Sequence, residues 1–401
     1  MGRCAVRKTV FFLLLTAGFA QPMLAAKPVS ISQLEQLLSD AHGQSDGNVA
    51  KKLYDLELTE RVSSVRLARW QVQFPGRRCH EVLTELADAA AFLDLPAEDM
   101  AADPPPDKDA QKALLARTNQ YVNTTINRLP NFYATRRTER FEDSPSHQTV
   151  EAPNSAFASS QAGRSGFSNG QSADVPMHSV GISNVSVTYR DGYELEGSKK
   201  LDFKVADPNQ PALETAGEFG PILLVVLDDA MHGQITWSHW EQSPVGIARS
   251  GHDAHDPAAV FRYIVPQEES HYVVGIPHGK LIDQVHPAYH GEIAINPDSG
   301  EILRITVDSD LAPPNQVVKS SIAVEYGSIS IGGTNYICPV KSVALSKTPV
   351  TSGQNGIRPG PIPLQTELND VAFIDYHVFR SEARILTGDN TGNDQPPDPP
   401  K

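Results

Sequence analysis

The stretch HGEIAINPDSGEILRI (residues 290–305) decides the fold of this 401-residue chain. Two isoleucine-rich runs flank the turn-forming sequence NPDSG (residues 296–300). Turn residues between two β-forming runs are typical of a β-hairpin. The sequence therefore predicts two antiparallel strands at this position.

The same pattern repeats on both sides of this hairpin. Short β-forming runs with turn signals between them extend from about residue 132 to residue 379, and Arg190-Asp191-Gly192 and Gly332-Gly333 are two of the turns. Parallel neighbours would need crossover helices, so successive hairpins predict a meander of about ten antiparallel strands. One helix, Phe219 to Ala230, interrupts this series.

Residues 31–128 have a helical pattern, with apolar residues recurring three and four positions apart. The break AADPPPDKD (residues 101–109) precedes the last of these helices, for which Asp109 is the predicted N-cap and Asn127 the predicted end. Helices followed by an antiparallel meander with an inserted covering helix define an α+β fold class.

The first residues have the order of an export signal. Arg3, Arg7 and Lys8 precede an apolar run at residues 10–20, and small residues follow it. This order is typical of a signal peptide, and the run is too short for a membrane helix, which needs about 20 apolar residues. We therefore expect a signal peptide at residues 1–26 and a periplasmic or secreted protein.

The remainder of the chain divides by composition into three parts. We predict a helical N-terminal region at residues 27–109, an antiparallel sheet domain at residues 110–387 and a disordered tail at residues 388–401. Within the sheet domain, the sequence from about residue 144 to residue 175 is rich in Ser, Ala, Gly and Asn, which predicts a mobile loop.

The charge balance excludes some partners. The chain has 34 basic and 48 acidic side chains, a net charge of −14, and removal of residues 1–26 takes away three basic residues and no acidic one. A surface this acidic repels nucleic acid and disfavours docking on anionic lipid headgroups. No second apolar stretch is long enough for an integral membrane span.

Gly166-Phe167-Ser168-Asn169-Gly170 matches the G-x-S-x-G motif of serine hydrolases. That motif works where a strand, a turn and a helix hold the serine above a parallel sheet. Here it lies in Ser/Gly-rich sequence without a strand before it or a helix after it. A hydrolase that uses Ser168 is therefore a distant alternative.

Histidines cluster at His252-Asp253-Ala254-His255-Asp256 and at His286 and His290. Such side chains bind zinc, but both clusters lie in loop-like sequence that fixes no geometry. His80-Glu81 begins a metalloprotease-like motif, in which Thr84 stands where the second histidine is required. The sequence thus predicts no catalytic residue, no metal site and no cofactor.

Cys79 and Cys338 both lie in apolar sequence. An oxidising compartment permits a disulfide between them, but the apolar surroundings favour two separate buried thiols. The sequence leaves both alternatives open.

The inserted helix has an apolar stripe that must be buried against another element. Trp237 and Trp240 follow it, three residues apart on a predicted strand, which places them on opposite faces of the sheet. The predicted residues of a ligand cavity are therefore Phe219, Ile222, Leu223, Val226, Leu227 and Trp237.

From about residue 110 to residue 385 the chain resembles the LolA/LolB/RseB-like superfamily of periplasmic proteins. The resemblance rests on the helix Ala113 to Asn127 before the first strand, on the long meander and on the hairpin at residues 290–305. The sequences Leu129-Pro130-Asn131-Phe132 and Gly217-Glu218-Phe219-Gly220 are similar to exported proteins of uncharacterised function from acidobacteria. The resemblance implies an antiparallel sheet curved into an unclosed barrel, with a hydrophobic cavity that holds acyl chains or docks a partner.

Two functions follow from these observations. The first is an exported, non-enzymatic binding protein that holds a lipid or another apolar ligand in the cavity of the curved sheet. The alternative is an envelope protein–protein interaction module with a packed interior, in which the acidic helical region binds the partner. Ligand, partner and oligomeric state stay open.

Overall fold

The computed structural model describes residues 27–126, 128–144, 175–196, 199–200, 213–215, 217–242, 257–278, 281–311, 317–349 and 364–378. The predicted signal peptide, the Ser168 motif, the cluster at residues 252–256 and the predicted tail lie outside these residues.

The N-terminal part of the described chain is a small helical region with its own apolar core. The first helix begins at a capping box, in which the Ser30 hydroxyl accepts from the Gln33 N–H and the Gln33 side chain accepts from the Ser30 N–H. The region also contains two short parallel strands. Its elements are β1 (Lys27–Val29), α1 (Ile31–Asp40), α2 (Asp46–Leu53), β2 (Leu56–Leu58), α3 (Ser64–Gln73) and α4 (Arg77–Ala89).

Two further helices belong to the sheet domain, α5 (Lys108–Ile126) and α6 (Pro221–His232). The predicted N-cap of α5 was wrong by two residues, because Asp107 rather than Asp109 accepts the Ala110 N–H, at 2.8 Å. Helix α6 begins two residues later than predicted, since Pro221 occupies its first turn, where the missing N–H of proline is tolerated.

Twelve strands form one sheet, and two others, β10 and β11, form a separate hairpin. The strand bounds are β3 (Met100–Ala101), β4 (Phe132–Ser144), β5 (Val175–Arg190), β6 (Tyr193–Glu196), β7 (Lys199–Lys200), β8 (Gln234–Glu241), β9 (Ala258–Val265), β10 (Val274–His278), β11 (Leu281–Val285), β12 (Ala288–Ile295), β13 (Ile302–Asp310), β14 (Lys319–Ile331), β15 (Thr334–Pro349) and β16 (Leu364–Val378).

The order of strands in the sheet is β3-β8-β9-β12-β13-β14-β15-β16-β4-β5-β6-β7, and every neighbouring pair is antiparallel. The last strand, β16, pairs with β4 and so joins two meanders. The sheet is curved and does not close, since β3 and β7 stay at opposite edges. The predicted fold class is confirmed.

The predicted hairpin turns are also confirmed. Asp191 and Gly192 both have positive φ, 53° and 84°, as a two-residue turn between β5 and β6 requires. In the turn between β12 and β13, the Asn296 side chain accepts the N–H of Asp298 at 2.9 Å, and Gly300 has a φ of 79°. Local turn chemistry therefore sets the register of these strands.

The sheet has an inner face, on which α5 and α6 lie, and an outer face, on which α4 lies. Apolar side chains of both inner helices pack with those of β9 and β12–β14 in the largest core. Because side chains alternate along a strand, the polar residues of these strands point to the outer face.

A network of buried ion pairs joins the helical region to the outer face. Nη1 and Nη2 of Arg61 each donate to the Glu241 carboxylate at 2.9 Å. Arg304 lies 2.8 Å from Glu241 and 3.3 Å from Glu292. Burial would raise the pKa of Glu241, but Arg304 and Arg61 outweigh it and hold that pKa well below its usual range.

Arg61→Leu should lower the free energy of unfolding by about 3 kcal/mol, because removing one partner leaves a buried carboxylate that is less well neutralised. Urea denaturation of the protein measures this loss. Arg77→Leu is the matched control, since Arg77 is exposed and pairs with Glu81 on its own helix, and it should stay close to wild type. Equal stability of both variants would show that the Arg61 network does not hold the two parts together.

Candidate functional site

The residues predicted to line a ligand cavity lie in the packed interior. Four of them lie on α6 and are buried in the main core: Ile222, Leu223, Val226 and Leu227. Phe219 precedes the helix and packs edge-on against other rings, with centroids 5.3 Å from Phe132 and 5.0 Å from Phe373. The structure therefore places all five as core side chains, with Phe219 in a separate apolar cluster from the other four.

A small cavity remains between α5 and α6. Its volume is about 10 Å³, close to the minimum that holds one water molecule. Pockets for organic ligands are much larger, roughly 300 to 1,000 Å³. The lining residues are Tyr121, Val122, Thr125, Ile126, Leu129, Phe219, Leu223, Ile302 and Ile337.

The prediction that Trp237 and Trp240 lie on opposite faces was wrong. The pairing of β8 with β9 shifts between Trp237 and His239, which indicates a β-bulge. The extra residue places both indoles on the same face of the sheet, and their ring centroids are 4.8 Å apart. Both pack against the main core, and Trp240 also donates to the Pro104 carbonyl at 2.9 Å.

A polar cluster that the sequence did not reveal lies at the end of α6. The buried carboxylate of Asp229 accepts the His271 N–H and the Tyr289 hydroxyl, both at 2.8 Å. Nδ1 of His271 lies 2.6 Å from the other carboxylate oxygen, while most of the imidazole is exposed. The hydrogen bond that the imidazole donates to Asp229, together with the charge of that carboxylate, raises the pKa of His271 above the ordinary 6.5.

This cluster resembles the acid–histidine pairs of hydrolases only in part. The carboxylate orients the imidazole, but the adjacent hydroxyl of Ser270 is buried, so the substrate of a nucleophilic serine could not reach it. The arrangement therefore fixes the end of α6 rather than activating a nucleophile.

Of the second pair of clustered histidines, one lies on β12 rather than in a loop. His286 and His290 are both exposed, and Nδ1 of His290 lies 3.6 Å from Asp310. Among the described residues, no group of three or more potential metal ligands could hold an ion.

Cys79 and Cys338 are free, buried thiols in different apolar clusters. Burial raises the pKa of each to about 12, which keeps both thiols protonated and unreactive.

The edge of β5 is an exposed feature of a different kind. Strand β6 pairs with β5 only from Val187 to Arg190, and along residues 175–186 the described part of the chain places no strand on the outer edge. This segment, VPMHSVGISNVS, contains no Asp, Glu, Lys or Arg, although one residue in five of the whole chain is charged. Ile182 is 52% exposed on it. An uncharged edge can pair with another strand.

Comparisons with protein-family models, with curated proteins and with solved structures give no match to this chain. None of the helices in the described ranges combines the length and the apolar character needed to cross a membrane.

We expect His271 to titrate above pH 6.5, and Asp229→Asn to return its pKa toward that value because the charge is removed. The stability that this pair contributes is full below the unfolded pKa of the imidazole and is lost as pH rises through the raised folded value. NMR titration of the imidazole signals measures both pKa values. Asp228→Asn, at the exposed neighbouring carboxylate, should change the pKa much less, and titration curves that do not differ would rule out the Asp229 contact.

Proposed function

We propose that this protein is an exported, non-enzymatic interaction module that binds a partner protein through its outer surface. The packed interior carries the proposal, because the side chains that would line a ligand cavity are buried against one another. The order of basic, apolar and small residues at the start of the chain supports export.

Within this proposal, the uncharged edge of β5 is the docking surface. A strand edge binds an extended segment through main-chain hydrogen bonds, and side-chain pockets add specificity. A bulge at Val180, which the pairing with β4 leaves unmatched, separates two stretches of this edge. The occupant is an extended segment of an envelope protein. That segment is neutral or basic, since this chain as a whole carries a net charge of −14.

A second candidate function is the binding of a lipid or another apolar ligand between α5 and α6. The observation behind it is the mostly apolar lining of the small cavity at this position. An acyl chain would fit there only if the two helices moved apart.

Leu223→Ala decides between a packed interior and a ligand cavity. In a packed core, the lost side chain leaves a void, and the free energy of unfolding should fall by about 2 to 5 kcal/mol. Leu224→Ala on the same helix is the matched control, because Leu224 is 38% exposed and Leu223 only 8%, and it should cost much less. Urea denaturation gives both values.

The same two variants and the wild type are then titrated with the apolar fluorophore N-phenyl-1-naphthylamine. No binding to any of them is the expected result. Saturable binding to the wild type, altered by Leu223→Ala and not by Leu224→Ala, would favour the lipid-binding candidate instead.

Ile182→Lys should abolish capture of a partner from an envelope extract of the host, because a charged side chain on an edge strand opposes pairing. Ile374→Lys is the matched control, since Ile374 is 43% exposed on the interior strand β16, and it should retain capture. Mass spectrometry compares the captured proteins. A partner that both variants retain, or that both lose, would contradict docking on the β5 edge.

A further inference from the structure

Helix α4 contacts the outer face through a group of carboxyl side chains around one lysine. Nζ of Lys341, on β15, lies 2.6 Å from Asp88 of α4 and 3.5 Å from Asp370 of β16. Glu325 of β14 is close enough for its charge to act on both Asp88 and Lys341. Glu85 is buried one turn before Asp88 on the same helix.

The charges of this group do not balance. Among the described residues, two carboxyl groups from one helix and two from two strands share this group with a single ammonium group. One oxygen of Asp88 is buried without a hydrogen-bond partner. Tyr54 of the helical region also lies near Glu85. Each carboxyl group that ionises here adds like charge to a buried interface.

An apolar contact adjoins this group. Ala91 and Phe92, which follow α4, pack against an apolar cluster on the outer face of the sheet. The members of that cluster are Phe141, Val343, Leu345 and Leu368. Separation of α4 from the sheet would expose them to solvent.

We propose that α4 docks on the sheet more tightly in acid, and that ionisation of the buried carboxyl groups loosens this end of the interface as pH rises. The inference is independent of the proposed partner and of the β5 edge. In this proposal, pH regulates the contact between the helical region and the sheet, and this contact covers or uncovers the apolar cluster beneath Phe92.

The direction of this pH dependence follows from the titration of Glu85. Burial, with a contribution from the charge of Asp88, raises its pKa to about 8 from the ordinary 4.5. Burial also raises the pKa of Asp88, against the opposing effect of Lys341. A carboxyl group whose folded pKa is raised contributes its full stability below the unfolded pKa and loses it as pH rises through the folded value.

The test measures how often the interface opens. Val343→Cys places a thiol in the covered cluster, and its labelling by N-ethylmaleimide is followed by peptide-resolved mass spectrometry at pH 6 and pH 9. Rates are divided by those of the urea-unfolded chain at the same pH, which removes the titration of the thiol itself. We expect the normalised rate to rise at least about tenfold between these values.

Glu85→Gln, added to the Val343→Cys variant, should abolish the rise in labelling rate, because the amide stays neutral. Glu81→Gln, one turn earlier and more exposed, should leave it unchanged. A flat wild-type profile, or a rise that Glu85→Gln does not reduce, would overturn the proposal. If Val343→Cys does not fold, hydrogen-exchange protection factors of α4 amides in the chain without the cysteine give the same comparison.

Discussion

The ion pairs around Arg304 are the contact on which the arrangement of the two parts of the molecule depends. Arg304 lies on β13, between Glu241 of β8 and Glu292 of β12, and Arg61 brings the helical region to the same carboxylates. Breaking a buried pair costs several kcal/mol. The helical region is therefore held in the one orientation that pairs Arg61, and the strands that supply its partners are those whose opposite face forms the main core.

Hydrogen bonds fix helix α6 at both of its ends and so limit the binding of a ligand on the inner face. At its end, Asp229 accepts hydrogen bonds from His271 and Tyr289. Before its start, the Gly217 N–H donates to the Glu194 carboxylate at 2.9 Å, and the Tyr326 hydroxyl donates to the Glu218 carbonyl at 3.2 Å. A helix held in this way acts as part of the core, and its displacement by a ligand would break buried hydrogen bonds.

Local patterns predicted the hairpins and the fold class, because turn residues and β-forming runs act over a few residues. No local pattern indicated that β16 would pair with β4 or that Arg61 would reach Glu241, since these contacts join distant parts of the chain. The bulge in β8 reversed the expected orientation of Trp240. The cluster around Asp229 was not predicted, because a sequence pattern cannot show that a carboxylate will be buried with its donors.

The two ends of the helical region's interface differ in how their charges balance. In the network around Arg304, three guanidinium groups, those of Arg61, Arg262 and Arg304, face Glu241, Glu292 and Asp94. Arginine stays charged, and the lowered pKa values of both glutamates keep them ionised at neutral pH. Around Lys341, acids exceed bases, so the charge there changes as pH changes.

This difference has a mechanical consequence for the helical region. A contact whose charges stay paired across the neutral range keeps its strength, whereas a contact with excess carboxyl groups weakens as they ionise. Loosening therefore begins at α4, while Arg61 continues to hold its partners on β8 and β12. The proposed loosening would then uncover the apolar cluster under Phe92, while the Arg61 contact keeps the helical region attached to the sheet.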